Sequence, residues 1–300
     1  MMAQRRTTAV LVLTLVIVLI AGCGKGEAPT KKQESIRRRV SGEGEMIVAF
    51  VDVGQGDSCI IRLEAGDDDF FAVVDTGKTN AGGEVVEELE DLGCDDIEVL
   101  VLTHPDFDHI GGANEVIEKY KVEEVWESGV GKDTKAWETT SAAIDEKKIP
   151  RRQVRSGESY QWESASVKVL NPPNGLYSGT GADENNDSVV LLISLGEQDL
   201  LLTGDVEVPA QEYMVSQRLS PVEVLKAPHH GGDSAYCQSF IDAVKPQVSV
   251  ILVGADNTYG HPGETMLREL GAYGQVYRTD TNGNVVVTID NSGYSVTSER

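Results

Sequence analysis

Residues 101–112 read VLTHPDFDHIGG. His104, Asp106, Asp108 and His109 fall within six positions, after the apolar run IEVLVL and before a glycine pair. An apolar run of this length reads as a buried strand, so the four polar side chains sit in the loop at its end. In an extended stretch alternate residues point the same way, which lets His104 and Asp106 meet one ion. The turn before Gly111-Gly112 then swings Asp108 and His109 toward a second ion. Mixed imidazole and carboxylate ligation suits Zn²⁺ and tolerates Mn²⁺. A calcium loop would use oxygen ligands throughout, and two histidines speak against it.

The remaining histidines follow the same rule. His229 and His230 come just after the strand-like VEVLKAP, and His261 follows the run QVSVILVG and a short loop. All five histidines therefore lie beyond the ends of apolar strands, where loops carry reactive groups on a rigid scaffold. Upstream, MIVAFVDV, SCIIRL and FFAVVDTG read as strands, GGEVVEELEDLG and ANEVIEKY as helices, and VEEVWES as a strand, with a further helix over 133–148. After strands around 152–170 and the polar loop NPPNGLYSGTGADENND, SVVLLISL and DLLLTGDV form a strand pair, followed by alternating helices and strands and a final hairpin turning at Asn282-Gly283. Two successive sets of strands with helices imply an α/β protein of four layers, an αββα sandwich.

The first 22 residues stand apart from this domain. Arg5 and Arg6 precede an apolar run from Ala9 to Ala21 that ends in Gly22-Cys23, the pattern of an export signal. It resembles a bacterial lipoprotein signal, in which the cysteine takes a lipid that tethers the mature chain to a membrane. A run of about 13 is short of the ~20 residues that span a bilayer, which disfavours an uncleaved transmembrane helix. Residues 23–45 are polar and charged without apolar periodicity and read as a flexible spacer, leaving 46–300 as one domain.

Without residues 1–22 the chain keeps 24 basic against 49 acidic residues, a net charge of −25. That balance argues against a broad electrostatic footprint for a polyanion, although bound divalent cations add local positive charge. Cys59, Cys94 and Cys237 include no CxxC pair and read as small buried apolar residues.

Seven segments, DVGQGDS (52–58), VVDTG (73–77), THPDFDHIGG (103–112), NNDSVVLLI (185–193), LLTGDV (201–206), LKAPHHGG (225–232) and NTYGHP (257–262), occur in an order that resembles the metallo-β-lactamase superfamily. More narrowly they are similar to the soluble hydrolase-like domain of the DNA-uptake protein ComEC and its stand-alone relatives. The resemblance implies two divalent ions, Zn or Mn. His104 and Asp106 would hold the first, Asp106 standing where the wider superfamily has a histidine. Asp108 and His109 would hold the second, Asp205 would bridge both, and His230, with His229 as the alternative, would be the last histidine ligand.

One further histidine that much of the superfamily supplies near SVVLLI is absent, and Asn185, Asn186 and Asp187 stand there instead, which leaves single-ion occupancy open. Gly232 stands where relatives often have serine. Asp75 reads either as a turn cap or, by the resemblance, as a partner that orients a ligand histidine. Asp57, like Asp52, flanks glycines and reads equally as turn chemistry or as site wall. His261 reads as a donor to a developing oxyanion, against a plain surface histidine.

The Glu-rich helix over 84–90 reads as a solvated face, DDDFF as a hairpin turn, and Trp126, Trp137 and Trp162 as packing residues. The function expected is a surface-tethered, extracytoplasmic metal-dependent hydrolase acting on phosphodiesters, DNA among them, with Asp108 orienting the water or taking its proton. The alternatives are a lactam or lactone hydrolase and a non-enzymatic lipoprotein whose metal is structural.

Overall fold

The computed structural model describes residues 44–66 and 68–300. The expected signal and nearly all of the expected spacer lie outside them. Six strands open the first sheet: β1 Met46–Phe50, β2 Ser58–Leu63, β3 Phe70–Thr76, β4 Ile97–Leu102, β5 Val122–Glu127 and β6 Arg151–Gln153. Seven form the second: β7 Ser159–Trp162, β8 Ala165–Asn171, β9 Val190–Leu195, β10 Gln198–Leu202, β11 Val224–Lys226, β12 Val248–Ile251 and β13 Gln275–Arg278. The chain then returns to the first sheet with β14 Val285–Asp290 and β15 Gly293–Ser298, so that its order is β15-β14-β1-β2-β3-β4-β5-β6. The second sheet runs β13-β12-β11-β10-β9-β8-β7.

Alternation along each strand builds the layers. In β4, Val99 and Val101 face the core between the sheets, while Leu100 and Leu102 face the helices. The inter-sheet core joins Phe50, Ile61 and Val74 of one sheet to Val167, Leu191, Leu200 and Val250 of the other. Helices α1 Gly82–Leu92, α2 Ala113–Lys119 and α3 Lys135–Lys147 cover the first sheet through Val85, Leu89, Val116, Ile117 and Ile144. Helices α4 Val208–Ser216, α5 Gln238–Val244 and α6 Glu264–Tyr273 cover the second through Met214, Phe240, Ile241 and Leu270. Each such fully buried aliphatic or aromatic chain contributes roughly 1.5–3 kcal/mol. The four-layer αββα arrangement is present.

Three local readings change. Asn282-Gly283 does not turn the last hairpin: Thr279–Asn282 is a helical turn that Gly283 ends at φ 67°, and Asn291-Ser292 makes the hairpin turn, with Asp290 opposite Gly293. The reason is Thr279, whose buried hydroxyl bonds both the N–H and the C=O of Val253 and pins this turn beside the end of β12. The Glu-rich helix α1 is solvated at Glu84, Glu87 and Glu90, but Glu88 is buried and accepts from Asn284 Nδ2 at 2.6 Å. Residues 151–153 join the first sheet beside β5 rather than the second. Trp126 and Trp162 lie in the inter-sheet core, Trp137 packs partly buried under the first-sheet helices, and the three cysteines are buried and free.

Strands β3 to β6 run parallel, as do β10 to β13. Their carboxyl ends open on one edge of the sandwich, the usual place for a site in α/β sheets.

Candidate metal centre

The first sheet contributes a braced loop. At the end of β3, Asp75 takes a left-handed φ of 59° that turns its carboxylate toward β4. Its Oδ1 accepts from Thr103 N at 2.8 Å, and its Oδ2 accepts from Thr103 Oγ1 at 2.6 Å and from His109 Nδ1 at 2.7 Å. Thr76 Oγ1 donates to the His109 carbonyl at 3.1 Å. Asp108 and His109 sit in the helical turn Phe107–Ile110, which Asp57 fastens by donating its N–H to the Asp108 carbonyl at 3.1 Å. That approach requires glycine at position 56: its φ is 140°, and a Cβ there would lie 2.3 Å from the Asp108 oxygen.

The second sheet brings the opposing groups. Asp205 follows β10 and donates its N–H to Ser188 Oγ at 3.2 Å. His229 and His230, beyond β11, both have left-handed backbones, φ 48° and 52°, a strained geometry typical of functional loops. His230 Nδ1 donates to the Leu252 carbonyl at 3.0 Å, which leaves its Nε2 aimed at Asp205 Oδ2 (3.2 Å) and Asp108 Oδ2 (3.4 Å). His109 Nε2 stands 3.2 Å from the same Asp205 oxygen.

Asp57, His109, Asp205 and His230 each offer a ligand atom within 4.8 Å of the others, and all four are buried. The Nε2 atoms of His109 and His230 have no hydrogen-bond partner of good geometry. Two imidazole nitrogens bare in the interior and facing carboxylates fit a divalent cation of the zinc or manganese kind. Each ring's other nitrogen is already held by a carboxylate or a carbonyl, the arrangement that fixes ligand histidines.

The charge balance is tight. Burial would raise Asp205 and Asp57. For Asp57 the Lys226 ammonium and then His109 and His230 outweigh it, for Asp205 His230, His109 and then Lys226 do, and both carboxyls are held below their usual range. Asp108 is held at about 2: burial opposes this, and the approach of His230 Nε2 and the charge of His109 prevail. Burial would lower His109 and His230, yet the surrounding aspartates lift both well above the ordinary imidazole range. Lys226 is itself buried. It donates to the Gly204 carbonyl at 2.8 Å, lies 3.4 Å from Asp205 Oδ1, and ion-pairs Asp57 Oδ2.

The other half differs. His104 is buried with its ring 4.1 Å from that of His109, and burial and its neighbour push it down to about 3. Asp106 lines the cleft over the cluster, and Lys132 Nζ lies 2.6 Å from its Oδ1, both side chains about 30% exposed. Asn186 is buried and spends its amide on the fold: Nδ2 donates to Thr180 Oγ1 and to the Ala182 carbonyl, while Oδ1 accepts from Glu207 N and Ala210 N. That fastens the loop before β9 to the start of α4. Asp187 accepts from Tyr177 N at 2.9 Å.

An open cleft of about 140 Å³ lies over these groups, with Asn185, His229 and His261 on its walls. His229 is 3.9 Å from Asp205 by its Nε2 and 3.4 Å from Glu207 by its Nδ1. His261 is lowered by burial and by its neighbours His229 and His230, and its backbone N–H and C=O are both held by the Asn257 side chain. Asp52 stands apart from the cluster, paired with Arg300 at 2.7 Å.

The structure thus gathers Asp57, His109, Asp205 and His230 at one point, with Asp108 beside His230 and Asp75 behind His109, while Asp106 lines the cleft paired with Lys132 and the Asn186 amide is bonded to backbone and to Thr180. Sequence reasoning missed Lys226 and Lys132. A lysine inside the apolar run VEVLKAP signals the first, because a buried ammonium needs a carboxylate partner. Lys132, in a polar loop, carries no such signal.

Residues 51–255 match the family model described as Metallo-beta-lactamase superfamily. ComE operon protein 3 of Bacillus subtilis (strain 168) is 31% identical over 265 residues, covering 82% of this chain and 33% of that protein. Competence protein ComA of Neisseria gonorrhoeae is 27% identical over 253 residues, covering 83% and 33% respectively. The chain therefore spans about a third of the length of these relatives. Among solved structures, the metallo-beta-lactamase fold protein YhfI of Bacillus subtilis aligns with a TM-score of 0.50 at 10% identity, covering 82% of this chain and 99% of that one, a likeness of fold alone. With the four-layer sandwich and the His–Asp cluster at its edge, the chain belongs to the metallo-β-lactamase superfamily of metal-dependent hydrolases and is similar within it to the competence proteins.

Proposed function

We propose that this chain is a metal-dependent phosphodiesterase. The observation that carries the reading is the convergence of His109 Nε2 and His230 Nε2 on one Asp205 carboxylate, with Asp108 Oδ2 3.4 Å from His230 Nε2, beneath an open cleft. A divalent cation held by these groups supplies the Lewis acidity that activates water and withdraws charge from a phosphoryl oxygen. The chain's own residues do the rest. Asp75 and the Leu252 carbonyl orient the two imidazoles, and Asp108, ionised at neutral pH, directs the water or takes its proton. His261, on the cleft wall, faces the phosphoryl group as the donor to its developing charge.

Occupancy by a single ion in the His109–His230 half is the favoured state. Lys132 already neutralises Asp106, and the Asn186 amide is fully engaged, so the His104 half offers one imidazole and little charge. The likeness to competence proteins supports a substrate related to nucleic acid. The sequence pattern ending at Cys23 supports a lipid-anchored location outside the cytoplasm.

The test is metal analysis of the purified chain, followed by assay on bis-p-nitrophenyl phosphate and single-stranded DNA with Mn²⁺ or Zn²⁺ added back. Turnover of the ester that Asp205→Ala abolishes, together with its metal, is the expected result. Hydrolysis of nitrocefin without hydrolysis of either phosphodiester would replace this reading with a lactam hydrolase. A tightly held ion with no turnover of any of them would leave a structural metal.

A further inference from the structure

Among the described residues, four large hydrophobic side chains are exposed: Phe107, Leu176, Tyr259 and Tyr273. Two of the four, Phe107 at 51% and Tyr259 at 62%, line the same cleft as Asp108, Asp205 and His230. They arrive from unrelated parts of the chain. Phe107 opens the helical turn between Asp106 and Asp108, and Tyr259 lies in the loop that follows β12. Neither belongs to any of the three core clusters, so neither ring is spent on the apolar core.

Their placement is also held. Asp57 bonds the backbone of the turn that bears Phe107. Tyr259 N–H donates to Asn257 Oδ1 at 3.1 Å, and its ring stacks on His261 with centroids 5.9 Å apart and planes 29° apart. Two exposed aromatic faces on one cleft, beside the groups that would grip a phosphodiester, call for a substrate that carries a flat ring next to its phosphate. A nucleotide in an unpaired strand meets that demand, since its base has both faces free. In a duplex the neighbouring base pairs cover them. The net charge of −23 also limits what backbone attraction can contribute, so ring contacts matter more here than in a basic protein.

We propose that Phe107 and Tyr259 are a stacking pair for an unpaired base next to the scissile bond, which makes single-stranded nucleic acid the substrate class of this site. The proposal rests on the phosphodiesterase reading. The rings act on binding, so their effect falls on KM.

The experiment compares the metal-loaded chain on three substrates of equal length: oligothymidylate, an abasic oligomer with the same backbone, and a duplex. The expected kcat/KM favours oligothymidylate over the abasic oligomer by about tenfold or more for the stacked base, carried by KM, with the duplex slower than the single strand. In Phe107→Ala/Tyr259→Ala this preference falls toward one, while the metal content stays at the wild-type value. Both side chains are exposed, so the variant is expected to fold. A preference that survives the double substitution, or a duplex cleaved faster than the single strand, overturns the stacking pair and leaves the phosphodiesterase standing. Turnover of bis-p-nitrophenyl phosphate with no cleavage of any oligomer does the same. Failure on that ester as well removes the phosphodiesterase and the pair together.

Discussion

The carboxylate of Asp75 and the imidazole of His109 are joined by a 2.7 Å hydrogen bond inside the protein, with neither side chain more than 1% exposed. That bond fixes which nitrogen of His109 faces the cleft. Asp75→Asn keeps the shape and tolerates the left-handed backbone, because asparagine is among the few residues that adopt it readily. It removes the charge that holds the imidazole. The expected outcome is a folded chain whose affinity for Zn²⁺ or Mn²⁺ falls about 10- to 100-fold, read by competition against a fluorescent chelator. Wild-type affinity would show that His109 needs no such partner.

Lys132 and Asp106 form a partly exposed pair, so its strength is modest. Lys132→Ala frees the Asp106 carboxylate for a second cation. Calorimetric titration of the wild type is expected to show one tight equivalent and a weak second. In the variant the second tightens by about two- to fivefold, the size of a partly exposed ion pair. Two equally tight equivalents in the wild type would contradict single-ion occupancy.

How much of this was legible in the sequence depends on the range of the interaction. The apolar runs announced the strands, and their grouping announced the four layers, because alternation between core and helix faces is a local property of each strand. His104, Asp108, His109, Asp205 and His230 were legible as strand-end residues in short blocks. The fate of Asp106 was not, because it depends on Lys132, 26 positions away in another loop. Asn186 stands where a ligand histidine is missing and read as a group behind the ligands, and its amide is used by the backbone of Ala182, Glu207 and Ala210. Asp57 read equally as turn or wall and does both, holding the Asp108 backbone by its N–H and pairing with Lys226 and His230 by its side chain. Pairings between the two sheets are set by the fold, which a local pattern does not contain.

Two glycines near the site separate a strained backbone from a crowded side chain. At Gly232 a Cβ would lie 2.6 Å from His261 Nε2, the movable end of a side chain. Gly232→Ser is expected to displace that ring, to keep its Tm and its metal, and to lose about tenfold or more in kcat/KM, within the range for an acid–base or oxyanion group. At Gly56 the obstacle is the Asp108 carbonyl itself. Gly56→Ala is expected to destabilise the chain by roughly 1–3 kcal/mol of strain, to lower the Tm clearly, and to weaken metal binding with it. Equal Tm values for the two variants, measured by calorimetry, would refute the distinction.

Lys226 tests the charge balance directly. Its ammonium sits 3% exposed between Asp57 and Asp205, each 5% exposed. Removing one partner of a buried pair costs about 3–5 kcal/mol, because the remaining charge stays uncompensated. Lys226→Met should therefore destabilise the metal-free chain strongly. A divalent cation held by Asp205 restores positive charge to the same place, so the loss should shrink once metal is bound. The difference in Tm between loaded and metal-free protein is thus expected to be larger in Lys226→Met than in the wild type. Lys226→Met/Asp57→Asn, which discharges one of the stranded carboxylates, should recover much of the metal-free stability. If the single variant loses the same stability with and without metal, the lysine acts by packing and not by charge.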